Sequence, residues 1–248
     1  DLEWGLQAAL ECVKWAVTLP YPELEIDYEY VALHHPDEYA VIEGDVWSSN
    51  GKKLSIAEYE KGYIEEHVRH SNALHGRTMD GNTYLVGPIA RVNLNHEQLL
   101  PIAHKALEDA KVKLPIKNPY KSLIARAIEL VQAYEEAILL VKNYKAEGPA
   151  HVELKLKAGE GAGATEAPRG LLYHRYQIDD HGLVQFAKIT PPTAQNLPRI
   201  EADLFELAPK IINMPEAEAT LTAEHLVRAY DPCISCATHF LKLKVEEK

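Results

Sequence analysis

The residues best suited to chemistry stand together near the end of the sequence, in the run YDPCISCATH from Tyr230 to His239. Two thiols spaced C-x-x-C, Cys233 and Cys236, can reach one soft metal ion from the same side of a tight turn. Pro232 fixes the approach to that turn and leaves one fewer backbone N–H to satisfy. His239 adds an imidazole three residues after the second thiol.

Several chemistries use such a pair, and the sequence bears on each. A closed zinc site takes four ligands. The only other cysteine, Cys12, lies among Ala8, Ala9 and Ala16 in a helical pattern and reads as a small core residue. A c-type haem attachment needs histidine directly after the second cysteine, where Ala237 stands. A redox dithiol opens a helix near the start of a βαβ unit, whereas this pair lies near the C-terminus. On spacing alone, half of a metal site is the best reading. A second stretch, GEGAGA from Gly159 to Ala164, formally fits a dinucleotide fingerprint. That motif requires a helix to start at the glycines, and Pro168 followed by LLYHRY reads as turn and strand. The expectation is a flexible loop that binds no nucleotide.

The elements that must position these groups are legible from periodicity. Leu2, Leu6, Leu10, Val13 and Val17 mark a helix that Pro20 and Pro22 end. ELEIDYEYVAL and EYAVIEGDVWSS read as strands around an HHPDE turn, and a polar helix is predicted over 55–72. Asn95 would cap a helix reaching about Leu114. The best-marked helix runs from Asn118 to Asn143, with Pro119 at its first position and a stripe from Tyr120 to Val141. HVELKLK, LLYHRYQI and GLVQFAKI read as strands, and Glu201 to Ala208 as a helix. The fold class is α+β: a helix-rich body with small antiparallel strand regions and no parallel doubly wound sheet. A single domain over 1–248 is expected.

Composition narrows the partners. A net charge of −11 over 248 residues argues against non-specific nucleic-acid binding, which needs a basic face. No apolar run is long enough to cross a bilayer, so neither a nucleic-acid nor a membrane partner is expected. Three cysteines give no even disulfide framework, which favours a reducing, cytoplasmic setting. The sequence begins at Asp1 with a helical pattern already under way, as if cut from something longer.

Four ordered blocks then carry a family resemblance: YLVGPIARVN, GAGATEAPRGLLYH (Gly161 to His174), PPTAQNLPR (Pro191 to Arg199) and DPCISCATH. Together they resemble the large subunit of nickel–iron hydrogenases, whose C-terminal signature reads D-P-C-x-x-C-x-x-H. The resemblance implies that fold, with the N-terminal part absent. It implies that Cys233 is a terminal nickel ligand and that Cys236 bridges nickel to an iron carrying cyanide and carbon monoxide. His239 would be the last residue of the mature protein and would bind a magnesium or iron ion near the terminus. Arg169 would overhang the open face of the metal pair, steered by Asp231, while Pro192 and Thr193 line the cofactor and Thr193 hydrogen-bonds a cyanide. Dihydrogen would be split heterolytically, with Cys233 or Arg169 taking the proton. Without the cysteines, Arg169 would read as a structural ion pair with Glu166 or Asp231, and Thr193 as a loop residue.

The departures matter as well. The R-x-C-G-x-C segment that supplies the family's other two cysteines is missing, as is its proton-passing glutamate, so this chain offers half of a four-cysteine site and alone is expected to be inactive. Iron–sulfur clusters would sit in a small partner subunit. Further partners would reduce a nicotinamide, a deazaflavin or a disulfide, resembling the soluble, cofactor-coupled branch. Phe240 to Lys248 resembles the cleavable C-terminal extension of an immature precursor, which nickel-insertion factors and a maturation endopeptidase process. One rival is a non-catalytic scaffold akin to the quinone-site subunit of respiratory complex I, which lacks the cysteine pair kept here. The other is an immature fragment that only binds maturation factors.

Overall fold

A computed structural model of the chain describes residues 1–233. Cys236, His239 and the segment 240–248 lie outside the described residues.

The two strongest apolar stripes pack on each other. α1 (Leu2–Ala16) buries Leu6, Ala9, Val13 and Ala16 against α5 (Ser122–Asn143), which buries Ile124, Ala127, Ile128 and Val131. A Cβ at Gly5 would lie 2.3 Å from a ring carbon of Tyr134, so glycine sets how closely the helices approach. Cys12 is half-buried rather than a core residue. After α1 the chain runs irregularly to Tyr30, where a strand is expected. Its alternation is real, since Leu24, Tyr28 and Tyr30 are buried. Its backbone bonds single groups on Lys117 and Leu85 in place of a ladder.

β1 (Val31–His34), β2 (Asp45–Ser48) and β3 (Lys53–Leu54) form a small antiparallel sheet. The helix predicted over 55–72 shrinks to a 3-10 turn and one turn of helix, α2 (Tyr59–Gly62). A two-stranded hairpin follows, β4 (Tyr63–Glu66) with β5 (His75–Thr78). Tyr59 and Tyr63 are both buried, and their spacing of four mimics a helix face across the turn-to-strand junction. α3 (Pro88–Asn95) is not anticipated, and the helix expected from Asn95 starts only at Pro101, as α4 (Pro101–Ala110).

The largest sheet joins β6 (Gly159–Ala167), β7 (Gly170–Ile178) and β8 (Val184–Thr190), all antiparallel. GEGAGA is therefore a strand, not the flexible loop its glycines suggest. Gly161 and Gly163 lie opposite Tyr176 and His174, so small residues face large ones across the ladder. HVELKLK forms no strand among the described residues, and Leu154 is 89% exposed. α6 (Pro192–Ile211) is much longer than the predicted 201–208 and is followed by an unforeseen α7 (Glu216–Ala229). Three buried clusters result: one among α1, α3, α4 and α5, one around β1, β2 and the tyrosines Tyr59, Tyr63, Tyr84 and Tyr173, and one between α6 and α7. The α+β reading with small antiparallel sheets holds. No helix among the described residues is long and apolar enough to cross a membrane.

Candidate metal centre

The segment that leads to Cys233 is gripped residue by residue. The Ala229 carbonyl at the end of α7 accepts from Ser122 Oγ at 2.5 Å and Arg126 Nη2 at 3.0 Å, both on α5. Tyr230 donates its hydroxyl to Asp203 of α6, a fully buried carboxylate that also accepts from Tyr28 at 2.7 Å and Arg199 at 2.8 Å. Asp231 adopts φ +50°, a left-handed conformation that aspartate tolerates better than most residues. Arg169 holds it there, donating from Nε to the Asp231 carbonyl at 2.5 Å and pairing with its carboxylate at 3.2 Å. The Cys233 N–H donates to Thr193 Oγ1 at 3.3 Å. Among the described residues of the run, only Pro232, which has no N–H to offer, lacks an anchor of this kind.

Arg169 is placed in turn by the β6–β7 corner. Glu166 at the end of β6 is buried; its carboxylate accepts from Leu33 N at 2.8 Å and Arg91 Nη1 at 2.9 Å. The same guanidinium bonds the carbonyls of Ala167 at 2.8 Å and Pro168 at 3.1 Å, and Glu129 on α5. Arg91 thus fixes three consecutive residues before Arg169. Glu166 belongs to Arg91, and of the two partners the sequence offered Arg169, Asp231 is the one it takes. Burial disfavours charge on Arg91, yet Glu129 and Glu166 outweigh it and hold the guanidinium protonated.

The first turn of α6 fastens the other side. PPTAQNLPR is helical rather than looped because its side chains find buried partners. Gln195 Nε2 donates to Leu171 O at 2.5 Å, and the Asn196 amide bonds both N and O of Val86 at 3.0 Å. Pro192 stands at the first helical position and Thr193, 3% exposed, follows it. Arg126, Asn196, Ala229 and Tyr230 also line a cavity of about 20 Å³, room for a molecule no larger than water. Burial, and then the nearby Arg169 and Arg91, lower the proton affinity of Arg126, while Asp231 and Glu129 raise it.

Arg169, Asp231, Cys233, Thr193 and Pro192 therefore converge from three separate parts of the chain. Cys236 and His239 lie outside the described residues. Arg91, Arg126 and Asp203 escape sequence reasoning, since each acts through partners distant in sequence. The only signal for Arg91 is its place in YLVGPIARVN. The arrangement sets a half-buried cysteine on a backbone held by a buried threonine hydroxyl, with an oriented guanidinium fixed on Asp231 two residues before it. That combination suits an anionic group or a metal bearing anionic ligands.

Comparison with known proteins identifies the family. The pattern of the nickel-dependent hydrogenase family matches residues 39–239. The chain is 35% identical to the alpha subunit of sulfhydrogenase 1 of Pyrococcus furiosus over 227 residues, 90% of this chain and 52% of that protein. It is 36% identical to the alpha subunit of sulfhydrogenase 2 of the same organism, over 81% of this chain and 48% of that one. Its fold resembles an NAD+-reducing [NiFe]-hydrogenase solved in the H2-reduced state, with TM-score 0.74, 22% identity, and coverage of 96% of this chain and 57% of that one. The chain spans about half the length of the curated relatives it matches. By the family pattern and by identity to these relatives, the chain belongs to the nickel-dependent hydrogenase family.

Proposed function

We propose that this chain forms the C-terminal part of the catalytic subunit of a nickel–iron hydrogenase, which interconverts dihydrogen with two protons and two electrons. The observation that carries the reading is the convergence of Arg169, Asp231 and Thr193 on the backbone that bears Cys233. The donor set fits: a thiol is a soft ligand, and a guanidinium and a hydroxyl beside it suit anionic diatomic ligands on a metal. Cys233 and Cys236 would hold the nickel and iron, with two further thiolates from outside this chain. His239 would hold the separate ion near the terminus. The bound metals would supply the Lewis acidity and the electron sink for splitting dihydrogen.

The chain's own residues do the rest. Arg169, fixed by Asp231, presents a preorganised positive charge to an apolar molecule that offers no charge to grip. A guanidinium is not deprotonated in proteins, so the Cys233 thiolate is the better proton acceptor of the two groups considered. Thr193 orients the backbone segment that bears the Cys233 sulfur through the Cys233 N–H. Electrons leave through one-electron carriers in a partner subunit. The segment 240–248 is removed after metal insertion.

Metal content, mass and turnover of the complete complex test the reading together. Nickel and iron are expected in stoichiometric amounts in a subunit whose intact mass ends at His239. Cys233→Ser should lose nickel. Arg169→Lys should keep both metals yet slow dihydrogen turnover about 10²–10³-fold, as removal of a preorganised electrostatic donor does. Zinc in place of nickel and iron, or unchanged turnover in Arg169→Lys, would overturn it.

A further inference from the structure

A second set of metal-ligating side chains converges where the β4–β5 hairpin meets α6. His70 stands in the connection between the two strands, His75 is the first residue of β5, and Glu201 lies on α6. Glu201 Oε1 is 2.7 Å from Nε2 of His70 and 3.8 Å from Nε2 of His75, and one ligand atom from each residue falls within 4.8 Å of the others. None of the three belongs to the centre around Cys233.

A surface ion pair between His70 and Glu201 beside a core histidine would be the ordinary account of this cluster. His75 does not fit it. Its side chain is 0% exposed, and neither ring nitrogen has a hydrogen-bond partner among the described residues. Buried polar atoms are rarely left in that condition, and each instance calls for an explanation. Burial also pushes the proton affinity of His75 down, against the pull of Glu201, which favours the neutral ring that can bind a metal. The other charges facing it, Arg77 and Glu66, are engaged with each other at 2.5 Å.

We propose that His70, His75 and Glu201 bind a first-row divalent cation of the zinc class, clamping the β4–β5 hairpin to α6. Two imidazoles and one carboxylate form a ligand set that suits such ions, with water completing the shell. Tetrahedral zinc sets neighbouring ligand atoms roughly 3.3 Å apart, between the two distances observed here. Small rotations of the exposed His70 and the half-exposed Glu201 would close the site, while the buried His75 stays in place. The ion would supply the missing partner for one His75 nitrogen. It would also tie the hairpin to the helix whose first turn carries Thr193. This proposal stands independently of the hydrogenase reading.

The test uses the full chain carrying Cys233→Ser and Cys236→Ser, so that thiolates do not compete for the probe, zinc ion alone. Calorimetric titration should show one equivalent bound, and zinc should raise the thermal midpoint. Adding His70→Ala or Glu201→Gln, both at solvent-facing side chains, should weaken zinc binding at least about tenfold and abolish the zinc-dependent rise. The zinc-free midpoint should stay where it was. His151→Ala, at an exposed histidine far along the chain, should match the parent. No bound zinc in the parent, or equal affinity in the His70 and Glu201 variants, would overturn the proposal.

Discussion

Two arginines flank the same short segment, and their surroundings give them opposite tasks. Arg169 keeps 39% of its side chain exposed and meets Asp231, two residues before Cys233. Arg91 is buried and makes five hydrogen bonds: two to Glu129, one to Glu166, and one each to the carbonyls of Ala167 and Pro168. Removing a buried cation strands its carboxylates, a loss of about 3–5 kcal/mol. Arg91→Met should therefore lower unfolding free energy by that amount in urea titrations, whereas Arg91→Lys, which keeps the charge, should lose less. A loss under about 1 kcal/mol in Arg91→Met would show that the carboxylates find other partners. Residues of this kind explain why the site was only half legible in sequence. Cys233 stands in a C-x-x-C pair whose spacing announces it, whereas Asp231, Arg169 and Thr193 are marked only by the family resemblance of the short motifs that hold them. Arg91 and its carboxylates are 38 and 75 residues apart, and spacing says nothing about such pairs.

At the scale of elements, the corner between α3 and β7 decides where Arg169 sits. Gly87, the residue before α3, has φ +111°, and Gly170, the first residue of β7, has φ +132°. A Cβ on Gly170 would lie 2.6 Å from Val86 Cγ2 and 2.8 Å from the backbone nitrogen of Gly87, so only glycine leaves room for the Val86–Gly87 segment there. Gly170→Ala should cost about 1–3 kcal/mol through its backbone conformation alone. Because Gly170 follows Arg169 directly, the substitution should also loosen the Arg169–Asp231 pair. Gly161→Ala on β6 is the control: nothing lies within 4 Å of its Cβ, and its φ is ordinary. That change should be neutral or slightly stabilising. Equal effects at the two positions, measured by thermal unfolding, would remove the corner from the account. The same contrast shows where reading elements from sequence fails. α1 and α5 announce themselves because their stripes face a core. β6 is rich in glycine and hides, since its strand character comes from the partner it lies beside. α6 carries prolines in its first turns and forms because Gln195 and Asn196 are fastened from outside.

Across the whole molecule, the small sheets and helices are joined by buried and half-buried acids rather than by one continuous apolar core. Asp203 links α6 to Tyr28 and Tyr230, Glu166 links β6 to β1 and α3, and Glu65 links β4 to β8 through Thr190 Oγ1 at 2.8 Å. Burial is the leading influence on all three and raises their proton affinity above that of ordinary carboxyls. Asp203 and Glu166 have an arginine to offset that cost. Among the described residues, Glu65 has only the Thr190 hydroxyl and distant Lys188 to oppose it, and its Oε1 is buried without a hydrogen-bond partner. A carboxyl whose folded pKa exceeds its unfolded value keeps its proton longer in the native state. Its stabilising contribution is full below the unfolded value, here 4.5, and is lost as pH rises through the folded one. Glu65→Gln removes the titration while keeping an acceptor for Thr190. The variant's thermal midpoint should therefore rise relative to the parent as pH climbs from about 4.5 towards neutrality, and the gap should then level off. Parallel midpoint curves for the two proteins across that range would mean that Glu65 ionises in the folded state as freely as in water, and the link between β4 and β8 would have to be held by something else.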